Sequence, residues 1–158
     1  MKTLIVYHSA HHGNTKKVAH QIAQVLGGKT ISVEEINQAE IDQCACLGFG
    51  SGIYFGKHHK ELLSCIENLK IMGKKVFIFS TSGKGIGGIL HSAAKKILHE
   101  KGCEIVGEFA CKGYDTFGPL KLVGGINKGC PGEKELSQAR DFAASIREKL
   151  FNERGNNQ

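Results

Sequence analysis

Apolar residues along this chain change their spacing repeatedly, from short continuous runs to a period near four and back again. Thr3–Tyr7 is a continuous apolar run, which predicts a strand buried on both faces. Val18, Ala19, Ile22, Ala23 and Leu26 then recur at helical spacing, so Thr15–Leu26 reads as a helix closed by Gly27 and Gly28. The alternation continues with a strand at Thr30–Glu34, a weak helix or turn at Gln38–Asp42 and an apolar strand at Cys44–Phe49. A helix at Lys60–Leu69, a strand at Val76–Ser80, a helix at Ile89–Lys101 and a strand at Cys103–Ala110 follow. Glu133–Leu150 is the last helix, with Ala139, Phe142, Ala143, Ile146 and Leu150 inward. Residues 1–151 read as one domain and 152–158 as a polar tail, taken to be frayed from Phe151 onward.

Five strands alternating with helices imply an α/β fold with a doubly wound parallel sheet covered on both faces. In such sheets a ligand sits beyond the carboxyl ends of the strands, where the strand order reverses. The residues that follow each strand are therefore the place to look for chemistry.

After the first strand comes Ser9-Ala10-His11-His12-Gly13-Asn14-Thr15, and then a helix. Unpaired backbone N–H groups and the helix dipole favour an anion there. Ser9, Asn14 and Thr15 add side-chain donors, and Gly13 lets the backbone come close to a phosphate. Taken alone, the turn is equally compatible with a plain helix cap at Asn14 or Thr15. Gly50–Gly56 follows the third strand and reads as a glycine-rich loop, in which Tyr54 and Phe55 suit a flat ring or simply cover the sheet end. Gly52 gives the 51–53 peptide freedom to turn toward that ring. After the fourth strand, Thr81-Ser82-Gly83 adds hydroxyls and N–H groups on the same rim.

These three stretches, in this order and spacing, resemble the flavin loops of the flavodoxin family, and the similarity runs over residues 2–150. Ser9-Ala10-His11-His12-Gly13-Asn14-Thr15 is similar to a phosphate loop whose usual form ends T-G-N-T. The resemblance implies a sheet of order 2-1-3-4-5, flavin mononucleotide (FMN) held without a covalent bond at the switch point, and electron transfer. It implies that Ser9, His11, His12, Gly13, Asn14 and Thr15 hold the phosphate. Ser51, Gly52, Ile53, Tyr54 and Phe55 would flank the ring, and Thr81, Ser82 and Gly83 would bind its polar edge. The implied partners are redox proteins, a reductase or ferredoxin-like donor and an acceptor enzyme. The favoured reading is an electron carrier with no catalytic residue of its own. An FMN-dependent oxidoreductase of the quinone or protoporphyrinogen type is the alternative, and a non-redox module with a degenerate site comes third. Two departures stand out. His12 replaces a common threonine, and the chain is basic where the usual flavodoxin is acidic.

Composition narrows the rest. With 41% hydrophobic and 23% charged residues and a net charge of +6, the chain reads as an ordinary globular domain. No apolar run is long enough to span a bilayer, and the apolar run at the N-terminus is too short for a signal peptide. A cytoplasmic protein is expected. Lysines occur at most in pairs and no basic run is interleaved with aromatics, so nucleic acid is not an expected partner. Six cysteines make no zinc spacing, and no metal is expected. Cys44 and Cys46 are expected on one face of a strand. Gly83–Gly88 satisfies G-x-G-x-x-G with Glu108 further on, a weak dinucleotide pattern, because Glu108 falls inside the next strand. His58 and His59 read as a solvated pair. Cys111–Gly132, rich in glycine and holding both prolines, is too long for a plain connection and suggests a functional or a disordered loop, in which Gly113-Tyr114-Asp115-Thr116 is expected to fold over the site.

Overall fold

A computed structural model of the chain describes residues 2–155. Five strands pair in parallel: β1 (Thr3–His8), β2 (Lys29–Ser32), β3 (Cys46–Tyr54), β5 (Lys75–Ser82) and β6 (Glu104–Lys112). They lie side by side in the order β2-β1-β3-β5-β6. Counting only these parallel strands, that is the expected 2-1-3-4-5. A two-residue strand, β4 (Lys57–His58), adds an antiparallel hairpin to the end of β3. The helices are α1 (Asn14–Leu26), α2 (Gln38–Asp42), α3 (Lys60–Asn68), α4 (Ser92–Glu100) and α5 (Glu133–Gly155).

The sheet divides the core in two. Leu4, Val6, Leu47, Phe49, Val76 and Ile78 bury one set of alternating side chains against Ile41 of α2, Leu62 and Ile66 of α3, and Ala94 and Leu98 of α4. Ile5, Cys46, Phe77 and Phe79 bury the other set against Val18, Ala19 and Ile22 of α1 and Ala139, Ala143 and Ile146 of α5. Period-two alternation along the strands and period-3.6 burial along α1 thus meet on each face. Gly48 and Gly50 stand directly beside Phe77 and Phe79 across the β3–β5 ladder. A β-carbon on Gly50 would lie 2.2 Å from the Phe79 ring, and one on Gly48 would lie 2.4 Å from Phe77. These glycines make room for two phenyl rings lying flat across the strand.

Several boundaries differ from the sequence expectation, each for a physical reason. Gly50–Gly56 is a loop only at its tip. β3 runs on through Gly50 and Gly52 to Tyr54, and only Phe55 and Gly56, both at positive φ, turn the chain into β4. β2 ends at Ser32, because the Ser32 carbonyl and hydroxyl both bond to Glu35 and bend the chain. The fourth helix begins late, since Gly88–His91 forms a tighter turn ahead of α4. α5 continues past Phe151 to Gly155, and the remaining residues of the expected tail, 156–158, lie outside the described residues. Cys44 precedes β3, so strand alternation does not reach it. It packs in the α3 layer and donates its Sγ–H to the Glu40 carbonyl, while Cys46 packs on the opposite face.

Candidate functional site

Beyond the carboxyl ends of β1, β3 and β5, three loops and a long strap surround a cleft of about 270 Å³. The first loop is shaped by His11 (φ 28°), His12 (φ 59°) and Gly13 (φ 67°), three successive left-handed residues. For the two histidines this conformation costs on the order of 1–3 kcal/mol each, the kind of strain that collects at binding sites. The turn delivers Gly13 to the N-terminus of α1 as an N-cap residue with no side chain to cap the helix. A β-carbon added at Gly13 would meet nothing within 4 Å, so the space in front of it is open. Ser9 Oγ accepts from the Lys16 N–H at 3.4 Å, leaving the first turn otherwise uncapped by side chains.

The side chains of Asn14 and Thr15 tie this loop to its neighbours. Thr15 Oγ1 and Thr81 Oγ1, both buried, lie 2.9 Å apart and join α1 to the end of β5. Asn14 Nδ2 donates to the Tyr114 carbonyl at 2.8 Å, whereas Asn14 Oδ1 is buried with no partner. An unpaired buried acceptor costs about 1–3 kcal/mol unless a ligand donates to it. On the β3–β4 hairpin, Gly52, Ile53, Tyr54 and Phe55 line the cleft. Ser51 lies behind them, donating to the Gly52 carbonyl at 2.7 Å and accepting from the His59 N–H at 2.9 Å. Gly52 is not left-handed, and a β-carbon there would press on the Tyr54 ring at 2.9 Å. Thr81 and Ser82 line the third side, while Ser82 Oγ accepts from the Gly85 N–H and Gly83 packs behind against Ile126 and Asp115.

The fourth wall is the strap, residues 113–132, which contributes more to the cleft than the expected Gly113–Thr116: Phe117, Gly118 and Lys121 line it too. Asn127 Nδ2 donates to the carbonyl of Gly83 at 2.7 Å, and Asp115 pairs with Ile126 in an isolated antiparallel bridge. Thr116 Oγ1 lies 3.0 Å from His12 Nε2, and the Tyr114 ring sits 4.2 Å from the His12 ring. Phe117 meets both Tyr54 and Phe55 edge-on, with ring centroids 5.9 and 5.8 Å away. Phe117 and Lys121 escaped the sequence reading because nothing local marks them. Their place follows from the fold of the strap.

A family model for the flavodoxin domain matches residues 4–102, a span that includes all three loops named from the sequence. The chain belongs to the flavodoxin family. An uncharacterized protein of Methanocaldococcus jannaschii is 44% identical over 147 residues, covering 92% of this chain and 98% of that protein. Among solved structures, a flavodoxin from the domain Archaea superposes with a TM-score of 0.66 at 19% identity, covering 95% of this chain and 99% of that one. Oxidised Flavodoxin 2 from Bacillus cereus gives 0.66 at 22% identity, covering 94% and 99%. Rubredoxin oxygen:oxidoreductase from Desulfovibrio gigas also gives 0.66, at 17% identity, covering 96% of this chain and 36% of that chain. Such identities speak for the fold. Membership of the flavodoxin family implies a flavin cofactor, and the residues present suit one. The uncapped helix end accommodates an anion, and the orphaned Asn14 Oδ1 can accept from a hydroxyl-bearing chain.

Beneath the third flavodoxin loop lies a polar foundation that sequence spacing did not reveal. Glu108 Oε2 accepts from His91 Nδ1 at 2.8 Å, and His91 Nε2 lies 2.7 Å from Ser80 Oγ. Lys95 holds the other carboxylate oxygen of Glu108 at 3.2 Å. Burial lowers the His91 pKa despite Glu108. Burial would raise that of Glu108, but the bonds from His91 and Lys95 bring it below the ordinary range. The ring is thus neutral with its proton on Nδ1, and Ser80 donates to Nε2. Glu108 is committed here, which accounts for it without a dinucleotide. His58, expected in solvent, is fully buried on β4. It donates Nε2–H to the Phe79 carbonyl at 3.1 Å, and its Nδ1 has no partner. Burial, reinforced by His91, pushes its pKa down to about 4. His59 instead caps α3 and stacks on His8 at 4.0 Å. All six cysteines are free, and burial raises the thiol pKa of Cys46 and of Cys111 to about 12. No group of three potential metal ligands occurs among the described residues, and no helix there is long and apolar enough to cross a membrane.

Proposed function

We propose that this flavodoxin-family protein binds FMN without a covalent bond and carries electrons through it between redox proteins. The observation that carries this reading is the uncapped N-terminus of α1, opened by a left-handed turn onto the same cleft as the aromatic hairpin. The flavin, when bound, supplies the electron chemistry, and the protein binds and tunes it. In this reading Ser9, His11, His12, Gly13, Asn14 and Thr15 hold the phosphate through backbone N–H groups, the helix dipole and hydroxyls. Asn14 Oδ1 accepts from a hydroxyl of the ribityl chain. Ser51, Gly52, Ile53, Tyr54 and Phe55 form one wall for the ring, with Ser51 bracing Gly52. Thr81 and Ser82 face its polar edge, with Gly83 behind them against the strap, and Phe117 closes the aromatic wall against water. The free thiols suit a reducing cytoplasmic compartment.

Titration of the purified protein with FMN, followed by flavin absorption and fluorescence, tests the reading. Saturable one-to-one uptake is expected, and a protein that stays colourless overturns it. A second reading, an FMN-dependent oxidoreductase of the quinone or protoporphyrinogen type, draws support from the strap, which walls the cleft as a substrate pocket requires. Steady turnover of NAD(P)H with a quinone would favour it over the carrier.

A further inference from the structure

Charge and exposed apolar surface are both concentrated around the mouth of the cleft. The four segments that surround it, 9–15, 50–59, 81–91 and 111–132, contain five lysines: Lys57, Lys84, Lys112, Lys121 and Lys128. They contain one carboxylate, Asp115, which is half-buried and accepts from the Phe117 N–H at 2.9 Å. None of the five lysines forms an ion pair among the described residues, in contrast to Lys29, Lys75, Lys95 and Lys96 elsewhere. Carboxylates outside these segments meet them at buried or terminal residues rather than at the lysines: Glu108 bonds His91 at 2.8 Å, and Glu135 accepts from the Gly132 N–H at 2.9 Å.

The apolar asymmetry is as strong. Of nine large hydrophobic side chains exposed among the described residues, seven lie on these same segments, all but Met72 and Phe151. Leu122 is 90% exposed, Phe55 88% and Ile89 79%. Phe55 holds this exposure in a left-handed conformation (φ 50°), which is a genuine outlier for so bulky a residue. Its ring touches Phe117 on the strap, and the strap is tied to the loop after β5 by the bond from Asn127 to the Gly83 carbonyl. Exposed apolar groups ringed by unpaired charge of one sign describe a recognition surface, with the charge steering approach and the apolar contacts holding the complex.

We infer that this rim docks a small acidic electron-transfer protein over the cleft. The role of that partner rests on the electron-carrier reading, whereas the surface itself does not. The mouth is concave and the polar side chains of His12, Asp115 and Thr116 line it, so a flat bilayer would leave polar groups desolvated and unfilled. It carries no arginine, because all three arginines fall on α5, and arginine is the side chain best suited to phosphate recognition. An acidic protein projecting an apolar tip satisfies both the charge and the shape.

Two probes of opposite charge test this: an acidic rubredoxin and a basic cytochrome c. Their binding to the full chain is measured by calorimetry and amide shift mapping, at low and at physiological salt, with and without FMN. Saturable rubredoxin binding that maps to the rim, weakens at least tenfold with salt and exceeds cytochrome c binding is expected. The pair Lys57→Glu and Lys128→Glu should weaken rubredoxin at least tenfold without changing the amide spectrum elsewhere. Equal or tighter binding of cytochrome c, salt-independent binding, or binding away from the rim overturns the proposal. So does cosedimentation with phosphatidylglycerol vesicles in the absence of rubredoxin binding. Rubredoxin binding by a protein that takes up no FMN would leave the surface standing and remove the electron-carrier reading alone.

Discussion

Ser80 and Thr81 are neighbours on β5, both buried hydroxyls, yet they belong to different parts of the molecule. Ser80 faces the α3–α4 layer and ends a closed chain of polar groups through His91 to Glu108. Thr81 faces the α1 side, bonds Thr15 and lines the cleft. One side of the strand end is a saturated foundation that fixes the third loop from below. The other is a wall with unmet hydrogen-bonding capacity beside it, at Asn14 Oδ1. Neighbouring hydroxyls on one strand thus lead to a fully paired chain on one side and to an unmet acceptor on the other.

The strongest probe of the foundation is acid, read at His58, which packs beside it with its ring 4.9 Å from that of His91. His58 takes up its proton near pH 4 in the folded protein but near 6.5 when unfolded. Stability from its burial is thus complete above pH 6.5 and lost as pH falls from there to about 4, a loss of roughly 3 kcal/mol. His91 is shifted in the same direction and adds to the loss. Urea unfolding at pH 7 and pH 4, paired with NMR titration of the His58 ring, reads this. A ring that titrates near 6.5 would remove the foundation from the comparison.

Substitution His91→Leu should cost about 2 kcal/mol, because Ser80 loses its acceptor and Glu108 a donor. Its effect on FMN affinity should stay within a few-fold. Chemical denaturation and flavin titration of one sample give both numbers. The adjacent pair Ser80→Ala and Thr81→Val sharpens the contrast. Each should cost about 1 kcal/mol of stability, since each orphans one buried group, but Thr81→Val alone should weaken FMN about tenfold. Equal losses of affinity would erase the distinction between the two sides. The smallest effect is expected for His12→Ala, which removes the exposed contact with Thr116: about 0.5 kcal/mol or less in stability, and faster proteolysis of the strap.

The layers of this fold were legible because Val18–Leu26 carries the helical period, while a continuous apolar run such as Val76–Phe79 marks a strand buried on both faces. The first loop was legible because Gly13-Asn14-Thr15 follows a strand and opens a helix. Glycine misled the reading at Gly50 and Gly52, where it serves ring packing rather than a turn. The buried histidines were illegible because their setting depends on contacts between residues far apart in sequence. His58 looks like any charged-neighbour histidine until β4 folds it under the Phe79 carbonyl. The strap's aromatic wall was hidden for the same reason, as Phe117 reaches Tyr54 across 63 positions of chain.

The flat phenyl rings over Gly48 and Gly50 have a consequence for how the sheet is assembled. If β5 slid by one residue along β3, Phe77 and Phe79 would meet Leu47, Phe49 or Ser51, whose β-carbons occupy the space the rings need. The two strands fit together like a key with two teeth, and misaligned pairings are rejected by volume before any loop closes. Replacing either glycine by alanine should therefore be tolerated only alongside a smaller side chain at its partner, so that residues 48 and 77, and 50 and 79, change as pairs or not at all.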